Sequence, residues 1–412
     1  MNKRIKTILA GIIVSALVVS IVFIQVFIND NRANTNYSKL EALLRITYPE
    51  ITPRYMKYIR IDPMLINQSI QELNDKYEFY KQIIGENDYL SQDFSKAYKY
   101  LHEASKVLVK NSYQALIFLR KAQYYLSLIE GYFLVRNNKL DKLILENMIK
   151  NIWNKYFIEH RKLYKLIYCG ENLSKVIIRS YIVERHISSA KTWLEQAEYY
   201  LKTSYWFLDN AIIYAFINVS LNNILDAEMI YNQSYESIIY NYTSTILDKY
   251  KEYNALVENI IEKQDFEKNT YAYTIYLEAR GYLDQGKQYY KDNYLTHALF
   301  YTMYSYVLAN TANYFKEYSD PLYGNLNISI EDMVKIKKKI NNVLNELIET
   351  KENIITLLLA DKILLDCKRA DLFIKYMYDN KRIDQYLLAA SYLLYLKSLE
   401  ALEYILNNKF LQ

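Results

Sequence analysis

Hydrophobic positions follow two different patterns along the 412 residues. From Ile8 to Ile28 no residue carries a charge, whereas beyond Pro63 apolar residues recur every three or four positions between polar ones. A run of that first kind, at about 1.5 Å rise per residue, spans roughly 30 Å, the thickness of a bilayer's hydrocarbon core. It predicts a transmembrane helix over 7–28. Lys3, Arg4 and Lys6 precede it and Asn29, Asp30 and Asn31 follow. The positive-inside bias then leaves residues 1–6 as a cytoplasmic tail and exports the rest. The run ends Gln25-Val26-Phe27-Ile28, with no small-x-small cleavage site, so the reading is an uncleaved signal anchor. The expected location is the cell membrane: single-pass, N-terminus cytoplasmic, bulk of the chain extracytoplasmic.

The second pattern predicts helices, and it repeats. Ala97, Tyr100-Leu101, Ala104, Leu108 and Tyr113 form a frame that returns as Ala190, Trp193-Leu194, Ala197, Leu201 and Tyr205, and again as Ala279, Tyr282-Leu283, Gly286, Tyr290 and Tyr294. A fainter copy runs through Ala360, Ile363-Leu364 and Cys367. Spacings of three, four and seven put these residues on one helix face. Small residues at the centre (Ala104, Ala197, Gly286) let a second helix approach closely. The packing set is Ala97, Leu101, Ala104, Ala190, Leu194, Ala197, Ala279, Leu283 and Gly286. Each copy reads as a helical hairpin, near 94–135, 187–224, 276–316 and 357–408, with longer polar helices between. With 7 Gly and 4 Pro, few tight turns interrupt these helices. Residues 29–62, where Pro49 and Pro53 fall shortly before Pro63, read as a stalk or irregular lead-in. The expected fold is all-α: the N-terminal transmembrane helix, then an extended, α-solenoid-like array of hairpins over 63–412.

In its aromatic, small and alanine positions the array resembles tetratricopeptide hairpins, although those recur every 34 residues or so. The third copy, Tyr282-Leu283-Asp284-Gln285-Gly286-Lys287-Gln288-Tyr289-Tyr290 followed by Asn293-Tyr294 and His297-Ala298-Leu299, resembles an uncharacterised archaeal helical domain. That family's His-Gly and Leu-Asp-Ala are replaced here by Tyr306-Val307-Leu308-Ala309. Similar hairpins resemble the helical tails of archaeal membrane-associated Lon-like proteases. Each likeness covers about 50 residues per copy and implies helix packing rather than chemistry.

Charge narrows the partners. Lys3, Arg4 and Lys6 supply three units of the net +5, and no acid precedes Asp30, so the remainder is close to +2 with the signs interleaved. No basic stripe of the kind that binds nucleic acid is present. Cys169 and Cys367 lack metal-site spacing and read as buried free thiols rather than a disulfide. Asn36, Asn67, Asn172, Asn218, Asn232, Asn241 and Asn327 each begin a glycosylation sequon, which agrees with export.

Catalytic motifs are missing: no Gly-x-Ser-x-Gly, no P-loop, no dinucleotide fingerprint and no His-Glu-x-x-His. Ser188-x-x-Lys191 fits a helix start better than a nucleophile, Ser188 or Ser189 acting as cap. His102 reads as a packing or surface residue, while His160 and His186, in charged surroundings, read as solvated. The pairs Tyr124-Tyr125, Tyr199-Tyr200 and Tyr289-Tyr290, among 46 tyrosines, read as core packing before groove lining. The function expected is a membrane-anchored extracytoplasmic scaffold that binds another envelope protein, not an enzyme, with no cofactor and no metal. Alternatives are a self-associating structural component of the cell surface, a companion of a membrane protease, and a hydrolase or ligand-binding receptor with an unrecognised site. A pocket gathering His102 or His297 with carboxylates would favour the last.

Overall fold

Every few turns an asparagine, threonine or aspartate side chain starts a helix. Asn111 accepts from the Gln114 amide, Asn172 from those of Ser174 and Lys175, Thr270 from that of Tyr273, and Asp384 from those of Tyr386 and Leu387. The computed structural model describes residues 37–412 apart from 52–53, 55, 57–58, 60, 85–89, 165, 205–207, 235–239, 269, 317–327, 351–353, 409 and 411–412. Among the described residues there are thirteen helices. They are α1 (residues 37–45), α2 (Pro63–Ile84), α3 (Ser91–Leu108), α4 (Ser112–Arg136), α5 (Lys142–Tyr164), α6 (Leu173–Thr203), α7 (Asp209–Gln233), α8 (Thr243–Lys263), α9 (Tyr271–Lys291), α10 (Leu295–Lys316), α11 (Ile330–Thr350), α12 (Ile354–Asp379) and α13 (Gln385–Asn407). One short antiparallel pairing joins β1 (Cys169–Gly170) to β2 (Tyr240–Asn241).

Helices α2 to α13 form four units of three. Within each unit the last two helices make a hairpin; the first packs on both of them in units 1 and 2 and mainly on the second in units 3 and 4. All nine residues of the expected packing set are buried. A Cβ added to Gly286 would come 2.5 Å from Thr302 Oγ1, so the small residue matches a close approach. A further repeated position emerges in the second helix. Ser127, Ser220, Ser305 and Ser391 are all buried. Ser220 donates to the Ala190 carbonyl at 2.8 Å and Ser305 to that of Ala279 at 2.6 Å, each the leading alanine of its copy.

An extended solenoid is not what these units build. In a solenoid each repeat touches only its neighbours. Here units 1 and 2 meet through α4 and α7, units 2 and 3 through α6 and α10, and units 3 and 4 through α10 and α13; α6 also packs on α12, so unit 2 touches unit 4. The physical reason lies in the first half of α6, where Val176 to Ile187 are buried except Tyr181 and Arg185, so this stretch needs protein on nearly every side.

The lead-in closes the same arrangement. Leu40, Leu43, Ile51, Met56, Ile59 and Ile61 are buried. At one end the Lys337 ammonium donates to the Leu43 carbonyl at 3.1 Å, Lys39 pairs with Glu331, and the Tyr37 hydroxyl donates to the Lys381 carbonyl. At the other end the Asp62 amide donates to Gln233 at 2.7 Å. Tyr37, Lys39 and Leu43 of the expected stalk or lead-in therefore lie against unit 4, and Asp62 against unit 2.

The transmembrane expectation is also corrected. Among the described residues no helix is long and apolar enough to cross a membrane. The most apolar helices, α7, α10 and α13, carry buried Asp226, His297 and Lys397 that face protein partners instead of lipid. The segment on which the signal anchor was placed, 7–28, lies outside the described residues, and the single-pass location with an extracytoplasmic bulk is not retained. Cys169 and Cys367 are both buried, and they are not joined by a disulfide.

Candidate functional site

Just past the end of helix α9 comes Asn293, whose φ of 62° lies in the left-handed region that asparagine tolerates. The amide of Tyr294 donates back to the Tyr289 carbonyl at 2.9 Å and that of Asn293 to Tyr290 at 3.0 Å, a Schellman turn that reverses the chain directly into α10. The start of α10 has free amides, and α6 supplies the acceptor. Glu184, 1% exposed, receives the Thr296 amide at 3.0 Å on Oε1 and the His297 amide at 2.8 Å on Oε2. A carboxylate from another unit thus caps this helix, where the macrodipole favours negative charge.

The same carboxylate accepts from Tyr168 Oη at 2.6 Å and lies 2.8 Å from Thr296 Oγ1. His297 Nδ1 sits 2.9 Å from Oε2. An acceptor there requires the proton on Nδ1, which leaves Nε2 as the imidazole's other polar atom. The ring is held between Tyr181, stacked at 4.5 Å and 14°, and Tyr289 at 5.0 Å. Burial pushes the Tyr181 and Tyr168 hydroxyls well above the usual phenol range, the Glu184 charge adding to the effect at Tyr168.

His297 opens onto a cleft of about 400 Å³ between units 2, 3 and 4. Tyr181, Arg185, Ser188 and Ser189 of α6 form one wall, and Tyr289 of α9 with His297, Phe300 and Tyr301 of α10 form the second. Leu358, Asp361, Lys362 and Leu365 of α12 form the third, and Met56 of the lead-in completes it. Lys362 places its ammonium 5.1 Å from the Tyr282 ring centre, 5.8 Å from Tyr304 and 5.9 Å from Tyr301. Its pKa is lowered, first by burial and then by Arg369 and Arg185, against the pull of Asp366 and Glu278.

The remaining sequence candidates are scattered. His102 is exposed beside Tyr98, and His160 is half-buried between Tyr156 and Tyr294. His186, expected to be solvated, is buried: Tyr113 packs edge-on against it, and Asn223 lies 3.1 Å from Nδ1. Ser188 and Ser189 are not caps, because α6 is already continuous from Leu173, and Lys191 turns away to Asp292 at 3.2 Å. Of the tyrosine pairs, only Tyr289-Tyr290 contributes to the central cleft, through Tyr289. Sequons at Asn67, Asn172, Asn232 and Asn241 are exposed, Asn218 is half-buried within α7, and Asn36 and Asn327 lie outside the described residues. Among the described residues no three His, Cys, Asp or Glu side chains gather as a metal site. The cleft residues Tyr181, Arg185, Asp361 and Lys362 carried no signal in sequence, since they come from different units and lie outside the repeat frame. Comparison with family models, curated proteins and solved structures found no match to this chain.

Proposed function

We propose that the chain is a helical binding protein whose central cleft holds a small anionic ligand. The observation that carries this is the placing of Arg185 and Lys362 in a cleft walled by Tyr181, Tyr289 and Tyr301. Asp361 is the acid facing it among the described residues, since Glu184 lies behind His297 and is already surrounded by donors. Its volume falls in the roughly 300–1,000 Å³ range of small-molecule sites, and its accessible lining is more polar than apolar, which suits a charged ligand. Pre-organisation supports the reading as well, for the Glu184 network fixes His297 before any ligand arrives.

Isothermal titration with short carboxylates and inorganic phosphate tests it. Expected is saturable binding that weakens with salt and falls about tenfold in Arg185→Gln, the loss of one charge-assisted contact. No binding by any of these anions, or equal binding by wild type and variant, would overturn it.

A second reading, a scaffold for a protein partner, draws on unit 2. Leu143, Ile144, Phe157 and Ile158 of α5 are exposed, and a second cleft of about 410 Å³ lies on that helix beside Trp153. Cross-linking with mass spectrometry that gathers links on α5 would favour it, and links spread evenly over the surface would not.

A further inference from the structure

Lysines that leave solvent ordinarily bring a carboxylate with them, and two in this fold do. The Lys337 ammonium sits 2.6 Å from Asp371, and that of Lys397 2.6 Å from Glu278 and 2.7 Å from Asp366. Lys362 is different. It is half-buried, and among the described residues no carboxylate lies within ion-pair distance of its nitrogen; Tyr282, Tyr301 and Tyr304 face it instead. Arg185 stands across the cleft from it, on α6.

We propose that Lys362 is the attachment point for a carbonyl-bearing acid, bound covalently and reversibly as an imine. The inference rests on the cleft being a ligand site and names the ligand class. The neutral amine is the nucleophile such a bond needs, and desolvation together with neighbouring cations is the arrangement that supplies it. Burial and the guanidiniums of Arg369 and Arg185 shift Lys362 toward that form. At Lys397 the balance is reversed: burial opposes the charge, but Asp366 and Glu278 outweigh it.

In the step itself the Lys362 Nζ lone pair attacks the carbonyl carbon. The C–N bond forms and the carbonyl oxygen takes up a proton, giving a carbinolamine. Loss of the nitrogen's proton and of that hydroxyl as water then leaves the imine, with no change of oxidation state. Asp361 and His297, both lining the cleft, are the groups placed to exchange those protons, and Arg185 is placed to hold the ligand's carboxylate.

The test uses glyoxylate as probe, sodium cyanoborohydride to reduce any imine to a stable secondary amine, and peptide mass spectrometry of the whole chain at neutral pH. Lys335, with a side chain 73% exposed, is the internal reference. Expected is trapping at Lys362 about tenfold faster than at Lys335. Arg185→Gln should slow trapping of glyoxylate but not of acetaldehyde, which lacks the carboxylate. Glyoxylate that binds by titration yet labels Lys362 no faster than Lys335 would overturn the imine and leave the anion site standing. Neither binding nor selective labelling would overturn both.

Discussion

The contacts inside hairpins and the contacts between units are made of different material. Within a hairpin the seam is apolar and small: Ala97, Ala104, Ala190, Ala197, Ala279 and Gly286 admit the partner helix, and serines donate to backbone carbonyls. Between units, each sequential joint buries charge. Units 1 and 2 share Arg120 and Asp226, whose Oδ2 accepts from Nε at 2.7 Å. Units 2 and 3 share Glu184 with the start of α10, and units 3 and 4 share Lys397 with Glu278. Small-residue seams tolerate many similar partners, because alanine rows differ little from one another. A buried ion accepts few alternatives, since any other register leaves it unpaired. The difference teaches that hairpins form from a local repeat while the order of units is fixed by single, unrepeated charges.

The largest expected effect breaks the joint between units 2 and 3. Glu184→Ala removes the cap of α10 and the partner of the His297 imidazole, leaving donors buried without an acceptor. Breaking a buried charged contact of this kind costs about 3–5 kcal/mol. Urea unfolding should show that loss with the helical circular dichroism of the remaining native state unchanged. A loss below about 1 kcal/mol, the size of one ordinary hydrogen bond, would refute the role given to this joint.

Two glycines sharpen the contrast. A Cβ at Gly131 would sit 2.9 Å from the Ala211 Cα and carbonyl oxygen, backbone that belongs to α7 in the next unit. Gly131→Ala should therefore cost about 1–3 kcal/mol through overpacking. At Gly286 the nearest atom is the end of the Thr302 side chain at 2.5 Å, and two other copies of the frame carry alanine there. A rotation of Thr302 relieves that contact and leaves the Ala298 carbonyl oxygen at 3.3 Å, a mild crowding offset by the up to about 1 kcal/mol the helix gains from losing a glycine. Gly286→Ala should leave the unfolding midpoint nearly unchanged, and a cost equal to that of Gly131→Ala would erase the distinction between seam and joint.

The same distinction governs what the sequence could reveal. Helices and hairpins were legible because Ala97, Leu101 and Ala104 recur at spacings that one helix face dictates, and the serine positions 30, 30, 26 and 31 residues beyond the leading alanines were open to the same search. The closure of unit 2 onto unit 4 was not legible. It depends on α6 being buried on sides that no periodicity distinguishes, and on a lead-in whose prolines suggested a stalk while its Leu40, Leu43 and Ile51 were bound for the core. The cleft was illegible for a related reason. Arg185, His297 and Lys362 are far apart in sequence and meet only once the units are ordered. His186 misled because its neighbours Glu184 and Arg185 suggested a solvated face, although Glu184 is itself buried.

Acid should loosen the first joint through that histidine. Burial lowers the His186 pKa below its ordinary 6.5, with Arg185 and Arg120 adding to the effect and Asp226 and Asn223 opposing it. Below that ordinary value the unfolded chain binds the proton more readily than the folded one. The contribution is therefore complete above the unfolded pKa and is lost as pH falls toward the folded pKa. His186→Gln should flatten the fall in stability below about pH 6.5 relative to wild type. The difference in slope is bounded by one proton, and parallel curves for the two proteins would show that the joint does not sense acid through this group.

Gly281 gives a small effect and the cleanest reference. It lies in the same helix as Gly286, five residues earlier, yet is exposed, with no atom within 4 Å of the Cβ it lacks. Neither a seam nor a joint constrains it, so only the backbone responds to substitution. Alanine restricts the unfolded chain and favours helix, and Gly281→Ala should stabilise the protein by about 0.5–1 kcal/mol in urea unfolding. Subtracting that gain from the Gly286→Ala result isolates what Thr302 and the Ala298 carbonyl cost by yielding, because both changes share the same intrinsic helix term. If Gly281→Ala were instead destabilising, the face carrying Gly281 would have to be covered, and α9 would pack on one more surface than the four-unit arrangement provides.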